Sequence, residues 1–190
     1  MLSPSDGSGT AQPIATDFID QVLFSPDGKL MSYNHLDTSQ KQVGLQRAVV
    51  TFRDAKAVVS FPAQGRIGYQ FTADGSALTY VQPQSAAAPA TIFKVPLPGG
   101  APQKLVEIPD SRVDVVRWAA EKTAIIAAFS LKNPVSNLWR WTAGSPKVVP
   151  LTNFPSGLIF EYAASQDGKT IYFTQGSNNR DIIKITGLVK

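Results

Sequence analysis

Hydrophobic and polar positions alternate along the chain in short runs, and the same pattern returns at a regular interval. Residues 24–33 read FSPDGKLMSY, and three related segments follow: FTADGSALTY at 71–80, WAAEKTAIIA at 118–127 and ASQDGKTIYF at 164–173. The acidic residues of their central turns are 47, 47 and 46 residues apart: Asp27, Asp74, Glu121 and Asp167. A period in this range is typical of repeats that each form one supersecondary unit.

Each repeat is predicted to form four β-strands. The first strand ends in an aromatic or small apolar residue, and Asp-Gly then reverses the chain because glycine tolerates the positive φ of a tight hairpin. First strands are predicted at 22–25, 67–72, 113–119 and 158–165, and second strands at 30–33, 78–81, 124–129 and 170–174. Third strands are predicted at 45–52, 91–97, 137–142 and 181–186, and fourth strands at 57–61, 103–108 and 147–152.

Four antiparallel strands at this period indicate the blade of an all-β propeller. A blade buries both faces against its neighbours, which explains a strand such as 124–129 that is apolar on both sides. No segment shows sustained helical periodicity. We therefore predict a β-propeller of four repeats, with blades at 18–62, 63–110, 111–155 and 156–190.

The two ends of the chain are predicted to complement each other. The last repeat stops after its third strand, and residues 9–16 align with the fourth-strand segments at 100–105 and 145–149. Residues 1–17 are therefore expected to supply the missing strand of the last blade. Two arrangements stay open: four blades that close on themselves, or an arc completed by further blades of a longer chain or by a second copy. An open arc would expose apolar blade faces, which favour association.

Composition narrows the class of partner. Hydrophobic residues make up 43% and charged residues 17%, with 14 Gly and 14 Pro, as expected for globular material with many turns. The net charge of +4 comes from scattered basic residues, which argues against nucleic-acid binding. Cysteine is absent, which excludes disulfides and thiol chemistry. No apolar run approaches a membrane span, and the N-terminal residues do not resemble a signal peptide.

The sequence holds no catalytic or metal-binding constellation. No G-x-S-x-G motif occurs, and His35, interpreted as an exposed histidine of the polar connection at 34–42, is the sole histidine. We expect no enzyme activity, no cofactor and no zinc site. The acidic turn residues are interpreted as turn formers, with calcium binding as the alternative. Trp139 and Trp141 share one strand face, which favours packing between blades over a stacking platform for bases or sugars.

Particular motifs are similar to those of TolB-like propellers, whose blades carry a WD-repeat-like SPDG turn. Residues 25–29 match that turn in full, and 167–169 match it nearly. Residues 137–141 with 150–157 resemble the passage between blades, and 175–185 resemble the end of large bacterial proteins in which a kinase or winged-helix head precedes a propeller. The resemblance implies a sensory or scaffolding part of a larger bacterial protein, in a periplasmic or other extracytoplasmic location.

The candidate binding face follows from chain direction. The Asp-Gly turns lie at one end of each blade, and longer, dissimilar loops lie at the other, at 34–43, 82–90, 130–136 and 175–180. Function concentrates on variable loops held by a rigid scaffold. The candidate residues of this face and its linkers are His35, Arg66, Asp110, Arg112, Asn133, Asn178 and Arg180.

Three functions are compatible with these features. The first hypothesis is a non-catalytic propeller that binds a protein or peptide partner. The second is the substrate-gating propeller of a prolyl-oligopeptidase-type hydrolase, which the resemblance to propellers suggests. The third is a carbohydrate- or small-molecule-binding propeller that uses the Trp-rich third repeat.

Overall fold

The computed structural model describes residues 19–37, 42–49, 56–62, 68–82, 89–108, 111–120, 122–130, 132–133, 135–165 and 169–177. Within these ranges the chain forms fourteen β-strands and no helix. The strands are β1 (Ile19–Phe24), β2 (Leu30–Asp37), β3 (Gln42–Val49), β4 (Lys56–Pro62), β5 (Tyr69–Phe71), β6 (Ala77–Val81), β7 (Ala90–Pro96), β8 (Gln103–Ile108), β9 (Ser111–Ala120), β10 (Thr123–Ser130), β11 (Ser136–Thr142), β12 (Val148–Pro150), β13 (Leu158–Ala164) and β14 (Ile171–Gly176).

The strands form antiparallel meanders in which sequence neighbours are also sheet neighbours. Sheet 1 has the order β1-β2-β3-β4, sheet 2 has β5-β6-β7-β8 and sheet 3 has β9-β10-β11-β12. Sheet 4 contains β13 and β14 among the described residues. The all-β, antiparallel prediction is confirmed, and each observed strand overlaps a predicted one. The predicted strand at 181–186 and the segment 1–17 lie outside the described residues.

A hydroxyl group stabilises the Asp-Gly turn in the first two sheets. The Ser25 Oγ donates to Asp27 Oδ1 at 2.7 Å and accepts from the Leu30 amide at 2.9 Å. In sheet 2 the Thr72 Oγ1 donates to Asp74 Oδ1 at 2.6 Å and accepts from the Ala77 amide at 3.1 Å. Gly28 and Gly75 have φ values of 70° and 69°, the left-handed conformation that glycine adopts without strain.

The third repeat departs from this turn at three positions, with Ala119 in place of the hydroxyl residue and Glu121-Lys122 in place of Asp-Gly. Ala119 stands where the other repeats have Ser25, Thr72 and Ser165, so the supporting hydroxyl is missing. In sheet 4 the Ser165 Oγ accepts from the Thr170 amide at 2.9 Å. The loss of the hydroxyl thus accompanies the loss of Asp-Gly in the same repeat.

Three apolar clusters join consecutive sheets. One lies between sheets 1 and 2 around Tyr69 and Leu78, and one lies between sheets 2 and 3 around Ile92 and Ile126. The third lies between sheets 3 and 4 around Ile125 and Tyr162. Successive residues of a strand point to opposite faces, so β10 packs against both neighbouring sheets. This explains why its sequence is apolar throughout.

Candidate functional site

We use "loop end" for the end of the sheets that carries the β2–β3, β6–β7 and β10–β11 connections. The strands extend further toward the loop end than the sequence predicts, so some predicted loop residues lie in strands. His35 is within β2, where it pairs with Gly44 of β3 and Ile19 of β1, and it is half-buried. The prediction that His35 lies in an exposed loop is therefore wrong. The β2–β3 ladder continues to Asp37 and Gln42 because backbone pairing does not require apolar side chains.

Arg112 and Asn133 lie at the loop end of sheet 3. Arg112 is exposed and pairs with Phe129, so it belongs to β9 and not to a linker. The linker prediction fails because β9 pairs with β10 as far as Ser111 and Ser130. Asn133 is exposed in the β10–β11 connection, where its amide donates to the Ser130 Oγ at 3.2 Å. The other predicted residues of this face are outside the described ranges: Arg66, Asp110, Asn178 and Arg180.

A cavity of about 400 Å³ lies at the opposite end, beside the Asp-Gly turns. The residues at one repeat position line it in all four sheets: Phe24, Phe71, Trp118 and Ala164. The next repeat position contributes Thr72, Ala119 and Ser165. We call this space the turn-end cavity. This cavity was not predicted from the sequence, although the aromatic or small residue just before each turn forms part of its lining.

The lining of the turn-end cavity is neutral. None of its residues carries an ionisable side chain, and Gln70 is its longest polar side chain. Phe24 is 52% exposed, a high value for a phenylalanine on a rigid strand. Ala164 is small where the three other repeats have an aromatic ring, and it packs against the cluster between sheets 3 and 4.

Polar side chains link the first strands of consecutive sheets. The Gln21 Nε2 donates to the Tyr69 carbonyl at 3.5 Å, and the Tyr69 hydroxyl donates to the Gln21 carbonyl. Gln21 has a φ of 54° within a β-bulge, a conformation that is uncommon for a residue with a side chain. The Arg117 Nη2 is 3.5 Å from Glu161 Oε2, and its guanidinium lies 5.4 Å from the centre of the Tyr162 ring.

Trp118 is held in the cavity wall by two hydrogen bonds. Its backbone amide donates to the Gln70 Oε1 at 3.0 Å, and its indole Nε1 donates to the Thr79 Oγ1 at 3.1 Å. Its ring also contacts Trp141 edge-on, with centroids 6.1 Å apart. Trp139 and Trp141 pack against the cluster between sheets 2 and 3, as predicted from their shared strand face.

The described ranges contain no cluster of three or more His, Asp or Glu side chains arranged to hold a metal ion. Among the same residues, no helix long and apolar enough to cross a membrane is found. The polar groups of the turn-end cavity are hydroxyls and a carboxamide, which hydrogen-bond but supply neither a strong base nor a metal ligand set.

Comparison with solved structures identifies the class of fold. TolB from Acinetobacter baumannii matches with a TM-score of 0.68 and 20% identity, over 89% of this chain and 41% of that chain. Putative TolB from Agrobacterium tumefaciens matches with a TM-score of 0.64 and 15% identity, over 80% of this chain and 52% of that one. A prolyl endopeptidase matches with a TM-score of 0.58 and 16% identity, over 84% of this chain and 24% of that one.

The chain has a β-propeller fold. Its fold is similar to that of TolB, so both the propeller predicted from the repeat and the TolB-like resemblance of its SPDG turns are confirmed at the level of fold. No protein-family model and no curated protein matches the sequence. The chain spans about half the length, or less, of the solved TolB chains that it matches.

Proposed function

We propose that this chain is a non-catalytic propeller domain that binds a protein or peptide partner as part of a larger bacterial protein. The observation that carries the proposal is the loop end of sheet 3. Arg112 and Asn133 are exposed there, while the β9–β10 ladder and the bond to Ser130 fix their backbones. An exposed arginine on a rigid strand is a suitable contact residue because its guanidinium can form several hydrogen bonds at little further entropic cost.

We expect the double substitution Arg112→Ala with Asn133→Ala to abolish partner capture from a lysate of the source organism. Captured proteins are identified by mass spectrometry for the wild type, the double variant and Arg140→Ala. Arg140 is the matched control, because it is an exposed arginine of the same sheet but lies within β11. The proposal requires at least one protein that the wild type and the Arg140→Ala control both capture. The amount of that protein captured by the double variant should be lower by about tenfold or more. Identical captured sets for all three proteins would exclude this face.

The gating propeller of a peptidase is the second candidate function. The similarity to a prolyl endopeptidase over 84% of this chain favours it. A hydrolase domain encoded in the same reading frame would support the gating role, whereas a kinase or winged-helix domain there would contradict it.

Sheet 4 supports the further proposal that the propeller continues beyond the sheets described. Phe160 and Tyr172 are 49% and 66% exposed, although sheets 1 to 3 pack against one another through apolar faces. The matched part of this chain covers 41% and 52% of the two solved TolB chains. We propose that this face of sheet 4 packs against another sheet, and that in the isolated chain a second copy supplies it.

The substitution Tyr172→Ser is therefore expected to shift the isolated chain toward the monomer without lowering its melting temperature. A ring that is 66% exposed contributes little to folding, but it can be buried in an association interface. Sedimentation velocity at increasing concentration measures the shift. Val149→Ser, at a residue that is 48% exposed in sheet 3, serves as the control and is expected to leave association unchanged. An equal shift for both variants would contradict a specific role of sheet 4.

A further inference from the structure

The first strand of each sheet is also an edge strand, and all four of these edges border the turn-end cavity. In an antiparallel pair, alternate residues bond to the partner strand, and the residues between them direct N–H and C=O to the other side. The amides of Ser25, Thr72 and Ser165 donate to the carbonyls across their turns. Consequently Phe24, Phe71 and Ala164 direct their backbone groups away from their own sheets.

Trp118 demonstrates what these outward backbone groups can bind. It occupies the equivalent position in sheet 3, and its amide donates to the side-chain oxygen of Gln70 at 3.0 Å. The side chain of Gln70 is a carboxamide, so its oxygen accepts the hydrogen bond from the Trp118 amide as a peptide carbonyl oxygen would. The geometry at the edge of sheet 3 thus shows that an amide oxygen from outside the sheet reaches this position.

The side chains of the cavity define what else a ligand needs. The lining is uncharged, and a buried charge without a partner would be costly. Phe24 is 52% exposed, and Trp118 forms a rigid wall, so an apolar side chain would gain contact with aromatic surface. The volume of about 400 Å³ lies at the lower end of the range for ligand sites, which suits a short segment.

We propose that the turn-end cavity binds a short, uncharged, extended peptide segment with an apolar side chain. The main chain of the segment pairs with the outward backbone groups of Phe24 or Ala164, which are more exposed than the buried Phe71, in the manner of strand addition to a sheet edge. Its side chain packs against Phe24 and Trp118. This site is at the opposite end of the sheets from the proposed partner face and does not depend on it.

The test uses the 190-residue chain and two synthetic peptides without tryptophan. The neutral peptide is acetyl-Gly-Leu-Phe-Leu-Gly-amide, and the charged one is acetyl-Gly-Asp-Phe-Asp-Gly-amide. Tryptophan emission reports binding because Trp118 lines the cavity. We expect saturable binding of the neutral peptide and binding of the charged peptide that is weaker by about tenfold or more. No saturable binding of the neutral peptide, or equal binding of both, would overturn the proposal.

Ala164→Phe should fill the cavity with the aromatic residue that the other repeats have at this position. It is expected to weaken binding by about tenfold. Ala57→Phe is the control, because Ala57 is an exposed strand alanine of β4 that does not line the cavity, and it should retain binding within about twofold. Equal loss in both variants, or equal retention, would contradict the assigned site.

Phe24→Ala is a second test that applies even if the phenylalanine of the Ala164→Phe variant disturbs folding. A half-exposed ring can be removed with little loss of core, yet the proposed aromatic contact is lost with it. We expect an unchanged melting temperature and binding of the neutral peptide weakened by about fivefold. The Arg112→Ala, Asn133→Ala variant should bind this peptide as the wild type does, which separates the cavity from the loop end. Unaltered binding by Phe24→Ala would overturn the proposal.

Discussion

Replacing Trp141 by alanine is expected to lower the free energy of unfolding by about 3–5 kcal/mol. Trp141 is 3% exposed and lies in the cluster between sheets 2 and 3. Its ring meets Trp118 edge-on, and its indole Nε1 donates to the Ser145 carbonyl at 2.8 Å. The substitution removes the largest side chain of the cluster and leaves a void that rigid sheets on both sides cannot close.

Denaturant unfolding measures this loss, and two further variants separate its parts. Trp141→Phe keeps an aromatic ring but loses the bond to Ser145, so we expect a loss of about 1–2 kcal/mol. Trp139→Ala removes the same side chain from a partly buried position against the same cluster and should cost less than Trp141→Ala. If Trp139→Ala cost more, Trp141 would not be the central packing residue of this junction.

The repeat made the architecture predictable from the sequence. Each turn carries its own local signal, because Asp-Gly requires a tight reversal and the flanking residues alternate as strands do. Fourteen predicted strands therefore overlap β1 to β14, although their ends differ by several residues in places. The packing role of Trp139 and Trp141 was also predictable, since it depends only on which strand face a residue occupies.

Strand ends at the loop end were less predictable. His35 and Arg112 are polar, and polar residues between apolar runs indicate a loop in a single sequence. Both nevertheless lie in strands, because a ladder is held by backbone groups and continues for as long as the partner strand is present. Side-chain polarity therefore does not report secondary structure at these positions.

The turn-end cavity could not be derived from any single segment. One repeat position from each of the four sheets converges there, and this position is Ala164 in sheet 4 where the other repeats have an aromatic residue. The relation is visible in the sequence only when the four repeats are aligned and the position before each turn is compared. The same alignment shows the hydroxyls of Ser25, Thr72 and Ser165, whose structural role appears only with the hydrogen bonds.

Thr72→Val is expected to destabilise the protein by about 1–3 kcal/mol at neutral pH. Thr72 is buried, and its Oγ1 both donates to Asp74 and accepts from the Ala77 amide. Valine has nearly the same shape but no hydroxyl, so the Ala77 amide loses its side-chain acceptor and the Asp74 carboxylate loses a donor. Thr91→Val, in β7 of the same sheet, is the control and should change stability by less than about 0.5 kcal/mol.

The difference between the wild type and Thr72→Val should also depend on pH. The hydrogen bond from Thr72 is the largest of the interactions that lower the pKa of Asp74 to about 2 from 3.8. A carboxylate with a lowered pKa in the folded state stabilises fully above its unfolded pKa and loses that contribution as pH falls through the folded value. The difference in the free energy of unfolding between the two proteins should therefore shrink between pH 4 and pH 2. The change should be about 1 kcal/mol or less, because Asp74 is solvent-exposed and solvent screens its interactions. Denaturant midpoints at pH 7, 4, 3 and 2 measure the convergence, and a difference that stays constant over this range would show that Thr72 acts through the Ala77 amide alone.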